Sequence, residues 1–285
     1  MSVTRGTFLK SLGKSLPGMV LGGGVAGAAQ KLLSKMTAAA NASGRPVPSA
    51  AKIKFIECGP PDDNRIALTF DDGPTPGVTD LILDELKKRQ LRATFFMIGR
   101  RITEAPELAK RVLHEGHEVG NHTYAHVNLT TIKDEEADSE IEKTQAVMAR
   151  QLNHRSTWFR PPYGALRQNQ AGMLARRGMG IVLWNVDPAD WSQPGEDKII
   201  SKILAETTAG SIVLCHDVSQ QTANCVGPIL DGLLQRGFHF ATLSTLMRQP
   251  RTHQDRDTQV RPPRRSSQAG GSARRAAPEK RSAEG

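Results

Sequence analysis

From about residue 64 to residue 245, short apolar runs alternate with longer amphipathic stretches, and most runs end in a polar cluster. The runs at 66–70, 93–98, 180–186 and 211–215 are continuous rather than alternating, as expected of strands buried on both faces. Between them, apolar residues recur at helical spacing. Leu81, Ile82, Leu83 and Leu86 follow Asp80 and precede Lys87, Lys88 and Arg89, so each sign of charge lies where the helix dipole favours it. Further helices are predicted over 105–114, 134–151, 170–177 and 196–207, with Gly116 and Gly178 as stops. A last helix and strand end near Phe240 and Leu243. Repeated β-then-α units imply an α/β fold with a parallel sheet covered by helices. Seven or so such units would close into a barrel, with its site at the C-terminal ends of the strands.

The two ends of the chain read differently. Eight lysines and arginines and no acidic residue precede Glu57, and the part from Arg248 onward has ten basic residues against four acidic ones. Subtracting both from the formal charge of +9 leaves the middle near −5. The basic character is therefore terminal, and the core presents no obvious phosphate-binding face, which argues against a nucleic-acid partner. Arg5, Lys10 and Lys14 precede a weakly apolar stretch over 16–28 that is too short for an ordinary membrane span, and Ala26-Gly27-Ala28 suits signal-peptidase cleavage. Residues 1–42 are thus predicted to be an export segment. Residues 4–10 resemble a twin-arginine signal with Gly6 in place of the second arginine. Residues 43–56 read as a linker, 57–247 as the folded domain, and 248–285 as a disordered basic tail able to associate with an acidic cell-envelope polymer. Cys58, Cys215 and Cys225 are too few for a disulfide framework, though one pair could bridge after export.

Five segments carry the chemistry: Thr69-Phe70-Asp71-Asp72-Gly73-Pro74, His122-Thr123-Tyr124-Ala125-His126, Arg160-Pro161-Pro162-Tyr163-Gly164, Asp187-Pro188-Ala189-Asp190-Trp191 and Leu214-Cys215-His216-Asp217. Each follows a strand-like run. Asp71 and Asp72, if extended, point to opposite sides of the chain, so one would bind a metal while the other acts as base. His122 and His126 are four residues apart and would share a helical face; with Asp72 they make three ligands and leave positions open for water and substrate. Nitrogen and oxygen donors in an open site suit one divalent ion, zinc first, then cobalt, nickel or manganese. Arg160 would keep Asp71 ionised, and the turn through Tyr163 would aim backbone N–H groups at an oxyanion. His216 would protonate a leaving group, with Asp190 either partnering it or bracing Arg160. Trp191 and Leu214 would wall a small methyl group. His114, His117, His154, His239 and His253 have no such company and are read as structural or solvated. The inventory is that of a metal-assisted hydrolase.

On these motifs the chain resembles the polysaccharide deacetylases of the NodB-homology type, carbohydrate esterase family 4, over roughly residues 64–245. The resemblance implies a distorted barrel of about seven parallel strands and hydrolysis of N-acetyl groups on a glycan. It implies Asp71 as base; Asp72, His122 and His126 as metal ligands; Arg160 and Asp190 as tuning groups; the Tyr163 N–H in the oxyanion hole; and His216 as acid. A polysaccharide is the implied partner, and no stable protein partner is implied. An O-acetyl xylan esterase, a formamide or cyclic-amide hydrolase, and a glycan-binding module whose catalysis has lapsed stand as alternatives.

Overall fold

The computed structural model describes residues 55–61 and 63–248. The predicted export segment, nearly all of the predicted linker and all but the first residue of the predicted tail lie outside the described residues. Within them the strands are β1 (Phe55–Ile56), β2 (Arg65–Asp71), β3 (Thr94–Met97), β4 (Glu118–Asn121), β5 (Trp158–Phe159), β6 (Gly180–Val182), β7 (Ile212–His216) and β8 (His239–Phe240). The helices are α1 (Thr79–Lys88), α2 (Gly99–Glu104), α3 (Pro106–His114), α4 (Asp134–Leu152), α5 (Gln168–Arg176), α6 (Glu196–Glu206), α7 (Gln220–Gln235) and α8 (Leu243–Leu246).

Seven strands form a parallel sheet in the order β1-β6-β5-β4-β3-β2-β7, and β8 pairs with the start of β2. Two short bridges bring the edges together. Cys58, just past β1, pairs with Ser211, and Val186 pairs with Val213 of β7. The result is the expected distorted (β/α) barrel. The strand predicted over 180–186 is interrupted, and β6 stops at Val182. Beyond it the Leu183 carbonyl accepts from the Arg160 guanidinium at 3.0 Å, and the chain turns so that the Asn185 side chain accepts from the Ile212 N–H at 2.8 Å. Phe55 and Ile56, read as linker, instead form β1 against Ile181 and Val182. The helix α2 has no counterpart in the predicted elements.

Continuous apolar strands are explained by burial on both faces. Ile66, Leu68 and Phe70 of β2 lie under the helices with Phe95, Met97, Val213 and Cys215, against Ile82, Leu83 and Leu86 of α1 and Ile229, Leu230 and Leu233 of α7. Ala67, Phe96, Val182 and Ile212 occupy the barrel interior with Leu243 and Leu246 of α8. A third cluster, including Ile141, Phe159, Leu174 and Ile181, lies beneath α4 and α5. Each fully buried Leu, Ile or Phe contributes about 1.5–3 kcal/mol. The packed barrel is therefore a rigid base for groups carried at its upper rim.

Candidate active site

Thr69 and Asp71 are two apart on β2 and share a face, which brings both to Arg160. Arg160 Nη1 donates to Asp71 Oδ1 at 2.7 Å and to Thr69 Oγ1 at 2.8 Å, while Nη2 donates to the Leu183 carbonyl at 3.0 Å. The Thr69 hydroxyl proton goes to the Val213 carbonyl at 2.6 Å. The guanidinium carbon sits 4.2 Å from the centre of the Phe96 ring, and Arg160 is completely buried. Burial pushes the Arg160 pKa down, opposed by the adjacent Asp71 charge. A buried arginine survives as a cation only when paired and hydrogen-bonded in this way. The pairing leaves Asp71 Oδ2 as the oxygen turned toward His122, 3.8 Å from its Nε2.

Asp72 leaves the strand with φ of 80°, so the two aspartates diverge by a left-handed kink rather than by strand alternation. The His122–His126 segment is not helical, because Thr123 and His126 have φ of 65° and 57°. It is a turn stitched together by side chains. Asn121 Oδ1 accepts from the Thr123 N–H, Thr123 Oγ1 from the His126 N–H, and Glu140 of α4 from the N–H groups of Tyr124 and Ala125. This turn brings His122 and His126 together by another route, with ring centres 5.1 Å apart. Asp72 Oδ1 lies 3.1 Å from His126 Nε2 and 3.4 Å from His122 Nε2. One donor atom from each of these residues lies within 4.8 Å of the others.

The chemistry of this trio fits a cation. His122 Nδ1 is 2.8 Å from the Arg160 carbonyl oxygen, so the proton of a neutral ring sits on Nδ1 and the Nε2 lone pair faces Asp72. Asp72 Oδ1 is buried and accepts no hydrogen bond among the described residues. Lone pairs facing each other repel, and a divalent ion among them removes the conflict. Burial works to raise the Asp72 pKa, but positive charge beside it, on protonated imidazoles or on a bound ion, holds the carboxyl below the usual range. Burial lowers the His126 pKa against the pull of Asp72, a shift toward the neutral ring that a ligand needs.

Across β2, Asp71 is in register with His216 of β7, so the two side chains emerge side by side. The choice left open for Asp190 is decided in favour of His216. Asp190 Oδ1 is 2.8 Å from His216 Nδ1, and Asp190 Oδ2 accepts from the His216 backbone N–H at 2.8 Å. Burial works to lower the His216 pKa, but the bond to Asp190 prevails and pushes it up to about 9. Tyr163 has φ of 60° and is exposed, its ring 4.9 Å from that of His126. Trp191 is exposed as well, whereas Leu214 is buried on the face of β7 that also carries His216.

Beneath the Asp71–Pro74 turn lies Asp217, a buried carboxylate whose role sequence reasoning missed. Its Oδ2 accepts from Thr79 Oγ1 at 2.6 Å, and its backbone N–H donates to the Asp71 carbonyl at 3.1 Å. A methyl at Gly73 would stand 1.9 Å from that Oδ2. Burial raises the Asp217 pKa to about 7. The residue directly after His216 therefore clamps the turn that carries Asp71 and Asp72. Of the remaining histidines, His117 is buried with Nδ1 accepting from the Ala93 N–H, which is a structural role. All three cysteines are free.

Fold and site together define the class: a NodB-type (β/α) barrel with Asp, His and Arg groups gathered at the C-terminal strand ends. Residues 59–182 match the polysaccharide deacetylase family. The chain is 38% identical over 208 residues to the peptidoglycan-N-acetylglucosamine deacetylase PgdA of Listeria monocytogenes, covering 73% of this chain and 44% of that protein. It therefore spans less than half of that relative. It is also 35% identical to the chitooligosaccharide deacetylase of Rhizobium leguminosarum, covering 68% of this chain and 96% of the relative. The crystal structure of the Bc1960 peptidoglycan N-acetylglucosamine deacetylase superposes with a TM-score of 0.66 at 34% identity, covering 67% of this chain and 92% of that one. The chain belongs to the polysaccharide deacetylase family, carbohydrate esterase family 4.

Proposed function

We propose that this protein is an exported, metal-dependent hydrolase that removes N-acetyl groups from N-acetylglucosamine-type residues of a cell-envelope polysaccharide, releasing acetate. One observation carries the reading. At neighbouring strand ends stand a carboxylate anchored on one side only (Asp71), a half-buried carboxylate between two imidazoles (Asp72), and a histidine whose ring is held by a buried aspartate (His216). The relatives named for peptidoglycan and chitooligosaccharide share N-acetylglucosamine as substrate unit, and this favours an amide over an ester.

Asp72, His122 and His126 would hold the ion, which when bound supplies a Lewis acid and a water of lowered pKa. Asp71 Oδ2 takes the proton of the attacking water while Oδ1 stays on Arg160. The Tyr163 N–H donates to the oxygen that becomes negative as the acetyl carbon turns tetrahedral. His216 then gives a proton to the sugar nitrogen as the carbon–nitrogen bond breaks, and Asp190 stabilises the cationic ring before that transfer. The products are acetate and a free amine. Trp191 and Tyr163 are exposed and would offer sugar-facing surfaces, and the buried Leu214 would form an apolar floor.

An O-acetyl esterase would need less of His216, because an alkoxide leaves more readily than an amine. A lapsed glycan-binding module would lack a ligand or the base, yet all of these residues are present. The test is acetate release from N-acetylglucosamine oligomers by the full chain, after chelation and again after zinc or cobalt is added back. Release that disappears and returns with metal supports the proposal. No release with metal bound, and release from acetylated xylan instead, would replace it with the esterase.

A further inference from the structure

The groups that surround His216 are unequal in kind. Asp71 and Asp72 face it from the end of β2, Asp190 from the turn after β6, and His126 from the loop after β4. The first turn of α7, packed on the other side, brings Gln220, Gln221 and Thr222 and no charged side chain. What α7 supplies is a hydroxyl. Thr222 Oγ1 donates to Asp190 Oδ2 at 2.8 Å, and both residues are buried. Ser219 Oγ lies 3.0 Å from Thr222 Oγ1. The direction of these bonds follows from chemistry. An ionised carboxylate only accepts, so the Thr222 proton points at Asp190, and the proton between the two hydroxyls must come from Ser219.

We propose that Thr222, backed by Ser219, is a positioning residue for the reaction: their hydroxyls form a one-way hydrogen-bond chain that holds the Asp190 carboxylate in the rotamer that serves His216. This rests on the reading of His216 as the acid. Capping α7 does not account for the contact. The cap needs only Ser219 Oγ accepting from the Thr222 N–H, which it does at 3.2 Å, and leaves the Thr222 hydroxyl unused. Asp190 Oδ2 already has the His216 N–H, so Thr222 completes a second bond on one oxygen and leaves Oδ1 to the ring. With both bonds made, rotation of the carboxylate breaks two contacts at once. With Thr222 removed it breaks one, and the ring loses its fixed partner.

Thr222→Val keeps the shape and removes the donor, whereas Thr222→Ser keeps the donor. The readouts are the His216 titration followed by NMR of the zinc-loaded, substrate-free enzyme, and kcat and KM on N-acetylglucosamine oligomers. In Thr222→Val the His216 pKa is expected to fall by about one unit and kcat by about tenfold, with KM nearly unchanged. Thr222→Ser should restore both, and Ser219→Ala should give a smaller shift of the same sign. An unchanged or raised His216 pKa in Thr222→Val overturns the proposal, as does a loss of kcat that serine fails to restore. The titration needs no substrate, so a wild-type enzyme that releases no acetate overturns the functional reading instead.

Discussion

Asp71 is held on one side only, and its proposed role depends on that asymmetry. Arg160 occupies Oδ1, which leaves Oδ2, on the His122 side, as the oxygen that would take the proton of the reacting water. Asp71→Asn keeps the shape and loses the base, and turnover should fall by about 10²–10⁴ with metal content unchanged by elemental analysis. A variant with near-normal acetate release would remove Asp71 from the mechanism. Arg160→Met leaves a buried carboxylate unpaired and should cost about 3–5 kcal/mol of stability in urea unfolding. His216 gives the pH dependence. It acts in the protonated form, so kcat/KM should fall as pH rises through about 9, and in Asp190→Asn that limb should move down toward the ordinary 6.5. The same pair has a sign in stability. Its folded pKa lies above the unfolded value, so its contribution is complete below about 6.5 and lost as pH rises through about 9.

Among the elements, the turn after β2 is the most constrained. It carries Asp71 and Asp72, it sits on the buried Asp217 carboxylate, and Gly73 is the residue that leaves room for that contact. Gly73→Ala must push the turn off Asp217. It should lose about 1–3 kcal/mol of stability and most of its metal affinity, read by denaturation and by metal titration. Normal metal binding in that variant would show that the turn can relax without moving Asp72. Helix boundaries were legible from sequence wherever charge and apolar spacing agreed, as in α1 and α4. The four-residue spacing of His122 and His126 suggested a helical face and yet belongs to a turn, because Asn121, Thr123 and Glu140 take the backbone N–H groups that a helix would have used. Spacing alone does not distinguish these routes to one juxtaposition. β1 was hidden because a two-residue strand has too few residues to show a period.

At the scale of the whole molecule, the barrel closes by two bridges rather than a full ladder, and the site lies at its upper rim. A metal that binds the folded rim and not the unfolded chain adds stability through linkage, about 2.7 kcal/mol at a hundredfold excess over Kd. Chelation should therefore lower Tm by roughly 5–10 °C and zinc should restore it, as read by calorimetry. An unchanged Tm would mean that the three donors do not hold an ion in solution. We further propose that the basic tail affects attachment to an acidic envelope polymer and leaves kcat alone. Truncation after Arg248 with unaltered turnover on soluble oligomers and weaker pelleting with the polymer would agree with this.

Taken by itself, the sequence determined the class of fold and the inventory of the site. Apolar runs without alternation specify strands covered on both faces, and reactive residue types placed just after them are local features that need no knowledge of pairing. Only the tertiary structure decided which groups meet. Asp190 had two candidate partners, His216 and Arg160, and the choice fell to strand register and to the turn after β6, both set by contacts far apart in the chain. Asp217 and Thr222 acquired their places in the same way. A short apolar strand and a hydroxyl on a helix carry no signal of their partners until the sheet has closed and brought them within about 3 Å.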